Sequence, residues 1–160
     1  MSTLRPRENA RRQHERPHVL IVTDDQGLAD FLGEGLMMGG FWTSVIHHGL
    51  QVLEVFRLRR FDLVVVDRDL GTFDPLELIE RLRGVSEHSV HGDVRTTAPI
   101  VIMASIDPDI SLDERERLDI AAIMQAPVEL EDVVQTLHRV FADWRAKHPD
   151  APLADESPGT

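Results

Sequence analysis

The chain has 160 residues, no cysteine and a formal net charge of −11. That length suits one domain with tails, able to bury a core without cross-links, and the missing cysteine removes disulfides, thiolate metal sites and cysteine nucleophiles. The acidity argues against nucleic acid as a partner, and no apolar run approaches the roughly 20 residues of a membrane span or forms a signal-peptide core, so a cytoplasmic protein without a membrane partner is expected.

In chain order, residues 1–16 read as a disordered basic leader. Residues 1–17 hold Arg5, Arg7, Arg11, Arg12 and Arg16 against Glu8 and Glu15, a net +3, which leaves −14 on the rest. Residues 19–22 predict a first strand, 28–38 a helix weakened by Gly33 and Gly35, and 42–46 a second strand after Gly39-Gly40. Residues 50–59 predict a second helix and 63–66 a third strand. A third helix follows over 75–83, with Pro75 in its first turn. A long polar loop over 86–98 leads to a fourth strand at 100–103, a short charged helix at 111–118 and a weak fifth strand at 121–124. The last helix, 129–145, shows the clearest periodicity, with Leu130, Val133, Val134, Leu137, Val140, Phe141 and Trp144 at helical spacing. Residues 148–160, with Pro149, Pro152 and Pro158, read as a disordered tail. Five βα units over residues 17–147 imply an α/β fold: a doubly wound five-stranded parallel sheet with five helices, a three-layer sandwich.

The run Phe61-Asp62-Leu63-Val64-Val65-Val66-Asp67 is almost unbroken apolar sequence ending in a carboxylate. The first strand likewise stops at Asp24 and Asp25. Ligands of open parallel sheets bind beyond the carboxyl ends of the strands, so these acids are predicted to meet in one crevice. Simpler roles compete at each position. Asp67 would cap the following loop, Asp24 would be the N-cap of the first helix, Asp25 and Asp69 would be solvated, and Thr23 and Ser105 would only hydrogen-bond at strand ends. His47-His48, and His88 with His91, do not offer the three or four ligands that zinc needs. No glycine-rich phosphate loop, serine elbow or acid–base pair is present, so no enzyme activity and no catalytic residue is expected. A flavodoxin-like ligand-binding sheet is disfavoured for the same lack of a phosphate loop.

From residue 17 to about 142 these features resemble the receiver domain of bacterial two-component response regulators. Asp67 falls at that family's phosphoacceptor position, Gly40-Phe41 and His48-Gly49 at its paired turn positions, and Pro127 at the proline of its Lys-Pro pair. The resemblance implies Mg²⁺ as the one cofactor, held by Asp24, Asp25, Asp67 and the backbone carbonyl of Asp69, since Mg²⁺ takes hard oxygen ligands. Several positions depart from the family. Thr23 replaces an acid, Gly71 a proline, and Ala104 the threonine or serine, with Ser105 one residue late. Ile123 replaces the aromatic switch residue and Ala126 the lysine. An acyl phosphate would add about −1.5 to −2 charges to an acidic pocket that has lost its lysine. The expectation is a stand-alone, atypical receiver that signals by protein–protein interaction without phosphorylation. The alternative is a working phosphorelay receiver phosphorylated on Asp67 with Mg²⁺. Expected partners are a regulatory protein or histidine kinase, or a second copy. The surface expected to dock them combines the fourth helix, fifth strand and fifth helix, through Ile110, Leu118, Ile123, Val133 and Trp144.

Overall fold

Each apolar run of the sequence becomes a strand of one parallel sheet, and each amphipathic stretch between them a helix. The structure, a computed structural model, describes residues 15–87 and 95–154. It contains β1 (His18–Val22), α1 (Gln26–Met38), β2 (Trp42–Ile46), α2 (Gly49–Leu58) and β3 (Leu63–Asp67), followed by α3 (Pro75–Arg83), β4 (Ile100–Ala104), α4 (Leu112–Arg117), β5 (Ile120–Gln125) and α5 (Leu130–Lys147). All neighbouring strands are parallel, in the order β2-β1-β3-β4-β5.

Because successive strand residues point to opposite faces, β1, β3 and β4 each divide their side chains between two cores. Leu20, Val22, Val64, Val66, Ile100 and Ile102 meet α2 and α3 through Val52, Leu53, Leu78 and Leu82. Val19, Ile21, Val65, Val101 and Met103 meet α1 and α5 through Leu32, Leu36, Val133 and Leu137. The two faces explain the unbroken apolar runs: all three central strands are buried along their whole length. The helices start where the sequence offers caps. Asp25 caps α1, Asp74 precedes Pro75 at α3, and Ser111 with Glu114 forms a capping box at α4. Gly35 within α1 and Gly39 at its C-cap let α5 approach: a Cβ at Gly35 would meet Leu130 at 2.4 Å, and one at Gly39 would meet Val134 at 2.7 Å.

The tail expected from residue 148 needs correction. Residues 148–154 fold back under the sheet, with Leu153 and Ala154 buried, and the Ala154 N–H donates to the Asp62 carboxylate at 3.1 Å. Leu153 completes the α1–α5 core, a gain that the flanking prolines do not prevent. The leader needs the same correction at its end. Arg145 pairs with Glu15 at 2.7 Å, while Arg16 donates to the Met37 carbonyl and lies 4.3 Å over the Trp42 ring. The remainder of the expected leader (1–14) and tail (155–160), with His88 and His91, lies outside the described residues.

Candidate functional site

At the carboxyl edge of the sheet a cavity of about 370 Å³ opens between the β1, β3, β4 and β5 ends. Asp24, Asp25, Asp67 and Asp69 line it with Met103, Ala104, Ser105 and Ala126, and the lining contains no arginine or lysine. The crevice expected from the strand-terminal acids is therefore real. Its chemistry lies in how those acids are held.

Asp67 ends β3 and is 6% exposed. Its Oδ2 accepts the Thr23 hydroxyl at 2.6 Å and its Oδ1 accepts the Asp69 N–H at 2.8 Å. Thr23 is itself fully buried: its N–H donates to the Ile46 carbonyl, and its Oγ1 accepts the Asp25 N–H. The hydroxyl standing where the resemblance expects an acid is thus the principal partner of Asp67. Neutral donors, not a cation, compensate this buried carboxylate.

The two acids after β1 divide their roles in the reverse of the simpler expectation. Asp25, not Asp24, is the N-cap of α1, accepting the Leu28 N–H at 3.1 Å. Asp24 Oδ2 reaches across to β3 and accepts the Gly71 N–H at 2.8 Å. Gly71 stands where the resemblance expects proline, and a proline has no N–H to give. The sequence displayed that substitution, and its consequence is this hydrogen bond.

Asp69 is not a free solvated acid. Its Oδ2 accepts both the Ser105 hydroxyl (2.6 Å) and the Ser105 N–H (3.1 Å). These donors hold its carboxyl below the usual carboxylate range, the hydroxyl contributing most, with Arg68 adding a smaller favourable charge. Arg68 also donates to the Pro108 carbonyl at 2.9 Å, a tie that no sequence pattern announced. The β3–α3 and β4–α4 loops are thereby joined twice. Ala104 and Ala126 leave no side-chain donor on the far wall, where their backbones are joined by Ala126 N–H to Ala104 carbonyl at 2.7 Å. The Ala126–Pro127 bond is cis.

Mg²⁺ wants near-octahedral oxygen ligands at about 2.1 Å. Here Asp24 and Asp25 each hold a backbone N–H, and both Asp67 oxygens accept hydrogen bonds. Among the described residues, no group of three acids or histidines is placed to hold a metal ion. These bonds engage one oxygen each of Asp24 and Asp25 and one lone pair on each Asp67 oxygen, so the three carboxylates keep lone pairs that would hold the ion when it is bound.

The expected docking residues are corrected too. Leu118 and Val133 are fully buried core residues, because the residue that ends the short α4 turns inward and α5 spends its stripe on the sheet. Ile110, Ile123 and Trp144 are half-buried, while Ile106 and Leu112 expose 69% and 77% of their surface beside α4.

No protein-family model matches the chain. The sporulation initiation phosphotransferase F of Bacillus subtilis is 31% identical over 70 residues, 44% of this chain and 56% of that protein. The response regulator MprA of Mycobacterium tuberculosis is 26% identical over 136 residues, 83% of this chain and 53% of that protein. The solved receiver domain (CheY-like) from Methylobacillus flagellatus superposes with a TM-score of 0.65 at 23% identity, covering 79% of this chain and 99% of that one. The chain has the receiver fold and resembles response-regulator receiver domains in sequence. This receiver spans about half the length of the curated relatives it matches. Receivers are signalling modules of two-component systems that generally bind Mg²⁺, so its altered acidic cavity is the feature to explain. No described helix of the receiver is long and apolar enough to cross a membrane.

Proposed function

We propose that this receiver works in the cytoplasm as an atypical signalling module. It engages a regulatory protein or histidine kinase, or a second copy of itself, by surface contact, without phosphorylation of Asp67. The Asp69–Ser105 pair carries the reading. Ser105 holds the hydroxyl nearest to the position that the family gives to a threonine or serine, and Asp69 occupies both its donors. A phosphoryl group arriving on Asp67 would have to displace that carboxylate in a cavity with no lining cation. The same pair, with Arg68 on Pro108, holds the β4–α4 loop in one arrangement. The contact surface proposed is the exposed part of the α4–β5–α5 side, with Ile106 and Leu112 at its edge.

The buried position of Asp67 at the end of β3 favours the second reading, a phosphorelay receiver using Mg²⁺. Intact-mass measurement after incubation with acetyl phosphate and Mg²⁺ separates the two. The wild-type chain is expected to gain no phosphoryl mass, whereas a Thr23→Asp, Ala104→Thr, Ala126→Lys triple variant is expected to gain it. Labelling of the wild type on Asp67 ends the proposal, as does loss of partner affinity in Asp67→Ala with unchanged thermal stability.

A further inference from the structure

The amino edge of the sheet carries a second cavity, of about 320 Å³, at the end of the molecule opposite Asp67. Arg59 and Arg60, which follow α2, and Arg95, which precedes β4, line it with Phe56, Phe61 and Trp144. Three arginines lining one opening are conspicuous in a chain whose net charge is −11. Asp62 is the lining acid, and its carboxylate is engaged by the N–H groups of His18 (2.7 Å) and Ala154 (3.1 Å). Arg59 is fixed in place, 5.1 Å over the Phe61 ring and with Nη2 3.2 Å from His18 Nδ1. Arg60 and Arg95 are exposed at the mouth.

The walls are built, not incidental. Ala151 and Pro152 supply one side because the C-terminal segment folds back, anchored by buried Leu153 and by Arg145 donating to the Ala151 carbonyl. On another side Trp144 Nε1 lies 3.3 Å from Thr97 Oγ1 and stacks on His148 at 4.5 Å between ring centroids. A forked guanidinium pairs with carboxylate or phosphate oxygens in two parallel hydrogen bonds. Aromatic walls take a planar ring, and the volume falls at the small end of the range for ligand sites.

We propose that this cavity binds a small phosphate monoester carrying a planar ring, a nucleoside monophosphate. Its phosphate lies between Arg60 and Arg95 and its base against the Phe56–Trp144 side. No covalent step is involved, and the site is independent of Asp67.

The test is calorimetric titration of the full chain with adenosine 5′-monophosphate, adenosine and inorganic phosphate in turn. In parallel, tryptophan emission is followed in Trp42→Phe, where Trp144 is the remaining tryptophan. The monophosphate is expected to bind with Kd below about 1 mM and to change Trp144 emission saturably, while adenosine and phosphate bind at least about tenfold more weakly. Arg60→Ala and Arg95→Ala are each expected to weaken binding about tenfold with unchanged melting temperature, because both side chains are exposed. Asp67→Ala is expected to bind as wild type. No heat and no emission change up to about 5 mM monophosphate would overturn the proposal. So would adenosine binding as tightly as its phosphate, or wild-type affinity in the Arg60→Ala/Arg95→Ala double variant.

Discussion

The two edges of this sheet carry opposite charges and stabilise them by the same means. At the carboxyl edge, Asp24, Asp25, Asp67 and Asp69 all accept backbone N–H groups, from Gly71, Leu28, Asp69 and Ser105. At the amino edge Arg83 donates to backbone carbonyls. Arg83 reaches those of Leu118, Thr96, Ala98 and Asp119 at 2.8–2.9 Å. The architecture imposes this division. In a sheet built of βα units every helix begins at the carboxyl edge and ends at the amino edge. Positive helix ends and free N–H groups therefore gather above the strands, and negative ends and free carbonyls below. Helices α3, α4 and α5 follow the rule, with Asp113 and Glu114 opening α4, Glu131 and Asp132 opening α5, and Arg81, Arg83, Arg145 and Lys147 closing α3 and α5. The acidic cavity is therefore an arrangement of carboxylates supported by backbone N–H groups.

The comparison breaks most readily at its basic end. Burial lowers the Arg83 pKa, with Asp119 partly offsetting the effect, so the guanidinium depends on its acceptors. Arg83→Met removes four hydrogen bonds and strands partly buried carbonyls, and is expected to lower the unfolding free energy by about 3 kcal/mol in urea titration. A loss below about 1 kcal/mol would show that water replaces the side chain. Leu153→Ala comes next, at about 2 kcal/mol, from a cavity beneath the returning C-terminal segment. If residues 148–154 were loosely attached, this substitution would be silent in the same assay.

Much of the fold was legible in the sequence because burial on both faces writes continuous apolar runs, and these mark β1, β3 and β4 directly. The clustering of strand-terminal acids followed from topology alone. Three features were hidden, each for a physical reason. Asp24 and Asp25 are adjacent, and sequence spacing does not say which one caps α1 and which crosses to β3. Leu153 is one apolar residue in a proline-rich stretch, too short a signal to reveal a docked segment. Leu118 and Val133 belong to apolar stretches whose pattern marks a buried face without saying whether the sheet or a partner buries it.

At the acidic edge, Thr23→Val tests whether a hydroxyl supports Asp67. The substitution keeps the shape and removes the donor to Oδ2, leaving a carboxylate that is 6% exposed with a bond only from Asp69 N–H. A loss of about 1–2 kcal/mol at neutral pH is expected, smaller than at Arg83 because one donor is removed instead of four. Thr23→Ser, which restores the hydroxyl, is expected to recover most of it. Equal stability of the valine and serine variants would mean that the 2.6 Å hydrogen bond contributes nothing net.

The smallest effect concerns the exposed Asp69–Ser105 pair. Hydrogen bonds to the charged form lower the Asp69 pKa in the folded chain, chiefly through the Ser105 hydroxyl. The sign follows from linkage. The pair's contribution is fully present above the ordinary aspartate value of about 3.9 and is lost as pH falls through the lower folded value. Titrating the Asp69 carboxyl carbon by NMR is expected to give a midpoint below that ordinary value, with the Ser105 amide shifting at the same pH. In Ser105→Ala the backbone donor remains and the hydroxyl is gone, so the midpoint is expected to move upward without reaching a free carboxylate's. An unchanged midpoint would place the cause in the Ser105 N–H, with Arg68 the smaller remaining contributor that Arg68→Gln would test. If neither variant shifts Asp69, the Ser105 N–H alone joins the two loops through the Asp69 carboxylate, and the hydroxyl contributes nothing to holding the β4–α4 loop.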